Sequence, residues 1–465
     1  MSGAFGRMIA RAVDVRRGET AALLWSCTYF FLILTAYYIL RPIRDEMGVQ
    51  GGVENLAWLF TGTLVGMLLL HPLYTTLVGK LPRNRFIPLT YRFFILNLVG
   101  FFLLFRFSGA GQAVWIGRVF FIWVSVFNLF VVSVFWSFMT DLYRPSQSKR
   151  LFGIVAVGGT LGAMLGSSIT SALAVPLGPV NLLLVSALFL EIAARAAGAL
   201  NREEGAVTAA ALAEPESDED AATRGSEAAP PATPRAGEPM PGGPRGAEVI
   251  GGGALEGIRN VLQSPYLLGI AALMLFFTIS TTFLYFQQAA LTDIVFGDDS
   301  AARTRFFANI DLIVNALTLI AQVFITGRML RWLGVGLSLA FLPLVSVIGF
   351  GILGVAPVLG VLVVLQVIRR AGNYGIQRPA REVLYTILSR TNKYKAKNFN
   401  DTFVYRVGDQ IGAWSYTLIS WLGLGIAGLS FIMVPFSAVW LVLALWLGAR
   451  YRAIQRQGAA GAERR

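Results

Sequence analysis

Long apolar runs recur about twelve times along this chain, each close to the ~20 residues a helix needs to cross a hydrocarbon core of ~30 Å. Away from water, a helix satisfies its backbone hydrogen bonds internally, so the pattern commits the chain to a bundle of spanning helices. The runs lie near 20–40, 55–79, 86–107, 112–140, 151–174 and 178–199, then near 264–291, 304–327, 333–354, 356–376, 399–421 and 425–449. Composition agrees: with 55% hydrophobic and 14% charged residues, 465 residues hold too little charge for a water-soluble surface of ordinary size. The expected fold is an all-α membrane protein, with one six-helix half over 1–199 and a second, ending in a short basic tail, over 254–465. Between them, 200–253 carries seven of the 19 prolines together with Ala, Glu, Ser and Gly. That composition buries too little apolar surface to order itself, so a disordered acidic linker is expected.

Charge sets the orientation. Residues 201–248 hold ten acids and four arginines; setting them aside from the chain's 39 basic and 26 acidic residues leaves 35 against 16. The surplus gathers in alternate short loops: Lys80 to Arg85, Arg144 to Arg150, Arg328 and Arg331, Arg369 to Lys397, and Arg450 to Arg456. Lys and Arg concentrate on the cytoplasmic side of short loops, so both termini and the linker of this multi-pass membrane protein are expected in the cytoplasm. Cations distributed in this way serve topology and the lipid bilayer, and nucleic-acid binding is not expected. The linker remains free to meet a cytoplasmic partner. A single cysteine, Cys27, and a single histidine, His71, leave no ligands for a metal cage, and no cofactor is expected. There is no phosphate-cradling Gly-Lys-Ser/Thr loop and no His pair four apart, so the chain reads as a non-enzyme without its own ATP-driven motor.

Polar residues inside spans are costly and mark the candidate site. At the end of the first span, Arg41 and Arg44 are three apart and share a helical face, where two guanidinium forks can grip a carboxylate or phosphate. The competing reading has both snorkel to headgroups and pair with Asp45 and Glu46. Gln287 and Gln288 occupy the equivalent place in span seven, since Tyr38-Ile-Leu-Arg41 and Tyr285-Phe-Gln-Gln288 correspond. Asp141 can pair with Lys149 or its basic neighbours as a cytoplasmic gate, although positive-inside topology also accounts for those cations. From Arg369 to Asp409 the sequence is rich in charge: Arg381, Glu382 and Lys397 stand in or near a loop, while Asp401, Arg406 and Asp409 enter a span among apolar neighbours as a mixed-sign triad. Asp311, four residues before Asn315, is either a proton carrier or a structural hydrogen-bonding group. Gly158, Gly162 and Gly166 recur every four residues on one helical face, a packing signature. Gly158-Gly-Thr-Leu-Gly-Ala163 also matches Gly408-Asp-Gln-Ile-Gly-Ala413 at an offset of 250, a trace of an internal repeat.

Two halves joined by a long linker resemble the major facilitator layout, in which the solute binds between parallel repeats. Within it, four segments resemble the bacterial and plastid nucleotide transporters, the ATP/ADP antiporters. Leu40-Arg41-Pro-Ile-Arg44-Asp45 is similar to that family's Arg-x-x-Lys-Asp, and Ser148-Lys149-Arg150-Leu151-Phe152 to its Ala-Lys-Arg-Phe-Tyr. Arg378-Pro379-Ala-Arg381-Glu382-Val-Leu-Tyr385 resembles its Asp-Pro-Thr-Lys-Glu-Met-Ala-Tyr, and Lys395-Ala-Lys397-Asn-Phe-Asn-Asp401 its Lys-Gly-Lys-Ala-Ala-Ile-Asp. The resemblance implies antiport of an anionic small molecule, with Arg44 at the basic substrate position. Where that family carries acids in spans four and seven, Val124 to Asn128 and Tyr285 to Gln288 hold no carboxylate. The expected function is alternating-access transport of an anionic solute. Arg41 and Arg44 would neutralise it, Arg381 and Lys397 would attract it, and Asp401, Arg406 and Asp409 would form state-dependent pairs. Two alternatives stay open: proton-coupled transport of another organic solute with Asp311 or Asp409 as carrier, and a non-transporting scaffold or sensor.

Overall fold

The computed structural model describes residues 19–80, 83–203, 263–388, 396, 397 and 399–463, with a few isolated positions beside them. The linker expected over 200–253 lies, beyond its first few residues, outside the described residues. The described chain is helical. An N-terminal set comprises α1 (Thr20–Gln50), α2 (Leu56–Lys80), α3 (Arg83–Phe107), α4 (Ala110–Leu142), α5 (Pro145–Leu177) and α6 (Leu182–Arg202). A C-terminal set comprises α7 (Pro265–Phe296), α8 (Ser300–Ile320), α9 (Gly334–Val355), α10 (Leu359–Gly372), α11 (Tyr405–Trp421) and α12 (Ile426–Glu463). Among the described residues, nine helices are long and apolar enough to cross a membrane. The three expected spans outside that count are α8, interrupted by Arg303, Arg305 and Asp311, and α10 and α11, which are 14 and 17 residues long. Each of these three adjoins a π-helical stretch, Ala321–Ile325, Asn373–Gln377 or Asn400–Val404. Such stretches break the regular hydrogen-bond ladder and gather at functional sites.

Glycine spacing decides how the helices cross. In lipid, apolar side chains gain little by leaving their surroundings, so helices associate by close backbone packing. α5 lies on α1 through the stripe seen in the sequence: a Cβ at Gly158 would stand 2.9 Å from the Cys27 carbonyl oxygen, and one at Gly162 would collide with the Phe31 carbonyl. Thr35 Oγ1 uses the same approach to donate to the Gly162 carbonyl at 3.1 Å. α11 crosses α7 in the same manner, where a Cβ at Gly412 would meet Ile279 Cα at 3.1 Å and one at Gly408 would collide with the Thr278 hydroxyl. The two hexapeptides at an offset of 250 therefore perform one packing task, each in its own set. Between the sets, α8 packs on α5 and α1, and α2 packs on α11.

The polar bonds that join the sets cluster toward one end, that of Gln50 in α1. They link Glu46 to Arg303, Asp45 to Tyr285, Arg41 to Asp311, Ser171 to Asn309, and Thr61 to both Gln410 and Trp414. The indoles of Trp58 and Trp414 meet edge to face at 4.8 Å beside them. This ordering places a seal at one face and a polar cavity next to it.

Candidate functional site

A cavity of about 290 Å³ lies between the two sets of helices. α1 contributes Arg41, Arg44 and Asp45 to its wall, and α8 and α10 contribute Asp311, Gln366 and Arg370. α11 adds Tyr405, Arg406, Asp409 and Gln410. Rings of Phe60, Phe121, Tyr285 and Phe307 form its apolar surface. Four arginines face three aspartates, so the lining carries an excess of one positive charge.

Arg41 and Arg44 reach this wall because three residues place them on one face of α1 and because the helix continues past Pro42. Both guanidinium groups line the cavity, at 20% and 17% side-chain exposure, and Arg44 also pairs with Asp45 as the competing reading expected. Arg44 lies over the Phe121 ring at 4.4 Å and stands 3.5 Å from the Asp45 carboxylate, while its Nε is buried without a hydrogen-bond partner. Tyr285 donates its hydroxyl to the same Asp45 oxygen at 3.0 Å. Arg41 spans the cavity to Asp311 at 3.4 Å, and Arg370 approaches that aspartate more closely, at 2.6 Å. Arg406 and Asp409 pair at 3.4 Å, one turn apart on α11. Gln366 donates to Gln288 at 3.0 Å, so an amide pair completes the wall.

The structure separates some residues that the sequence grouped. Gln287 points away from the cavity and donates to Ser430 at 2.9 Å, since adjacent residues on a helix face different directions. The mixed-sign triad divides: Arg406 and Asp409 line the cavity, whereas Asp401 stands 3.5 Å from Arg381 outside it. Glu382 accepts from Lys397 at 2.7 Å in a half-exposed pair, also outside the cavity lining. Asp141 is exposed at the end of α4, and the side chain of Lys149 lies outside the described residues. Glu46 pairs with Arg303 and not with its neighbours Arg41 and Arg44.

Several polar partners were not singled out from the sequence. Arg370 appeared only as one cation in a basic run, yet its helical face carries it to Asp311. Arg303, which follows the seventh apolar run, is 2% exposed. Glu19, which accepts from Gln147 and Arg150 at 2.9 Å, ties the start of α1 to the start of α5. Nothing local marks residues more than a hundred positions apart as partners. Asp311 alone gave a signal, a carboxylate within an apolar run. Among the described residues no group of three or more His, Cys, Asp or Glu side chains could hold a metal ion.

The all-helical bundle with a charged cavity between its two sets is similar in fold to solved structures of multi-pass transporters. A bacterial homologue of the iron transporter ferroportin in an inward-facing state has a TM-score of 0.60 at 14% identity, over 94% of this chain and 98% of that one. A POT family transporter in complex with a thioalcohol-conjugated peptide has a TM-score of 0.57 at 11% identity, over 93% and 96%. A bacterial homologue of the human lysosomal transporter Spinster, inward-facing and unoccupied, has a TM-score of 0.51 at 15% identity, over 95% and 98%. These are likenesses of fold. No family model matches the sequence, and no curated protein does.

Proposed function

We propose that this chain is a secondary transporter that moves a small anionic solute through the cavity between its helix sets by alternating access. The observation that carries the reading is the convergence of Arg41, Arg44, Arg370 and Arg406 on one cavity, with an excess of cation over carboxylate. Guanidinium groups held in a low-dielectric wall favour a bound oxyanion, and their forks match carboxylate, sulfate or phosphate geometry. The volume lies at the lower edge of small-molecule pockets, which run from about 300 to 1,000 Å³, and suits a compact solute. α8, α10 and α11, continued by their π-helical stretches, would complete twelve spans in two halves of six. Lys and Arg counts would set the sealed face toward the periplasm of a bacterial inner membrane, with both termini and the acidic linker in the cytoplasm.

The fold neighbours include a peptide transporter, which supports a second reading, proton-coupled movement of another organic solute, over nucleotide exchange. The three cavity aspartates support that second reading. Nucleotide antiport rests on the motif resemblance through Arg44, Arg381 and Lys397, and a cytoplasmic partner for the linker on its acidic composition. Reconstituted vesicles preloaded with labelled monocarboxylates, sulfate, phosphate esters and nucleotides discriminate among these readings. Counterflow of one anion class supports the proposal, uptake of only uncharged or cationic solutes replaces it, and silence toward every solute returns the chain to a scaffold or sensor.

A further inference from the structure

Two arginines from opposite helix sets converge on a single carboxylate. Asp311 Oδ1 accepts from Arg370 Nη2 at 2.6 Å and lies 3.4 Å from Arg41 Nη1. Its side chain is 2% exposed, and Oδ2 is buried without a hydrogen-bond partner. Of the three cavity carboxylates, Asp311 is the one held by two arginines; Asp45 and Asp409 each have one. A carboxylate so placed occupies the position that a solute's own anionic group would require.

Building on the anionic-solute reading, we propose that Asp311 is the internal counter-ion of Arg41 and Arg370. The solute's anionic group displaces it from Arg41 and Arg370, and the released carboxylate takes up one proton, so that anion and proton bind together. The charge balance is closed. A monoanion enters, and one O–H bond forms on Asp311 with a proton that reaches it from bulk solution, so the net charge of the site is unchanged; a dianion such as sulfate lowers it by one. Without the proton, the released carboxylate would be left buried, charged and unpaired, which is strongly unfavourable. Neutralisation removes that cost and ties anion binding to proton binding.

The neighbours of Asp311 leave it as the group that answers. From α1, Tyr37, Tyr38, Arg41, Arg44 and Asp45 face it or its arginines, and Asp45 is held by Arg44 and Tyr285. Arg370 comes from α10 and Tyr374 from the π-helical stretch after it, while the basic residues of α5, Lys149 and Arg150, stand near its first turn. Arg303 of α8 is committed to Glu46 and Asp293, and Asp409 across the cavity to Arg406.

Sulfate is a suitable probe because it carries no titrating proton across the neutral range. Added to the purified full-length protein in weak buffer, sulfate should bind with uptake of protons from solution, and its affinity should rise about tenfold for each pH unit lowered, as one linked proton requires. Asp311→Asn should bind sulfate with no proton uptake and a flat pH profile, and Asp311→Glu should retain the uptake. Sulfate binding to the wild type without proton uptake overturns the proposal and leaves the anion site standing, as does persistence of the uptake in Asp311→Asn. Failure of the wild type to bind sulfate overturns both. Should Asp311→Asn not fold, proton uptake by the wild type and by Asp311→Glu decides the question.

Discussion

Glu46 of α1 and Arg303 of α8 meet as a buried ion pair across the two helix sets, Nη2 to Oε1 at 3.1 Å, with side-chain exposures of 0% and 2%. They stand 257 positions apart in sequence. Arg303 also reaches Asp293 at 3.2 Å, so one guanidinium fastens the ends of α1, α7 and α8 at the sealed face. Removing one member of a buried pair typically costs about 3–5 kcal/mol, because the other is left uncompensated.

Glu46→Gln should therefore loosen the sealed face. With Ser125→Cys as a reporter in the cavity wall and Cys27→Ser as background, an impermeant maleimide applied from that face should label several-fold faster than without the Glu46 change. Equal labelling rates would show that the pair does not hold the face closed.

Arg44 stacks on Phe121 while facing the cavity. A hydrogen bond to a charged group contributes about 1.5–3 kcal/mol, so Arg44→Gln should weaken sulfate binding by about 10- to 100-fold in calorimetric titration. Arg44→Lys should recover only part of the loss, because an ammonium keeps the charge but lacks the planar fork and the stacking. Full recovery by lysine would reduce the role of Arg44 to that of a point charge.

The glycine crossings predict matched effects in the two sets. Gly162→Ala and Gly408→Ala each force a methyl group into a neighbouring helix, and overpacking costs about 1–3 kcal/mol. Both should lower the melting temperature in detergent. Gly153→Ala on the same α5, where a Cβ meets nothing within 4 Å, should leave it unchanged. Equal melting of all three would refute close backbone approach as the basis of helix packing here.

Lys397 and Glu382 pair at 2.7 Å but are 38% and 39% exposed. An exposed pair is worth about 0–1 kcal/mol, so Lys397→Gln should barely change thermal stability. If Lys397 attracts the solute from the cytoplasm, the variant should raise KM for counterflow at low salt and lose that effect at high salt. An unchanged KM would confine Lys397 to its pair with Glu382.

Much of this was legible in particular residues. Arg41 and Arg44 could be read as a facing pair because helical spacing fixes which neighbours share a side; Gln287 and Gln288 were read together, and only the structure put Gln288 in the wall and Gln287 behind it. The glycines at 158 and 162 announced a close crossing, since an apolar span has little other reason to repeat its smallest residue every four positions. Asp311 was conspicuous as a carboxylate in an apolar run. Its partners were not, because Arg370 resembled every other cation near a basic loop.

The sequence by itself determined a helical membrane protein, since apolar runs of spanning length admit few other structures that satisfy the backbone. It also determined the local faces of those helices, because their periodicity is a property of the chain alone. Only the tertiary structure decided which charges meet. Glu46 found Arg303, Arg41 and Arg370 found the same aspartate, and Asp401 left its expected group for Arg381. Ion pairing depends on distance in space, and it is the packing of helices within and between the sets that brings residues tens to hundreds of positions apart within a few ångströms.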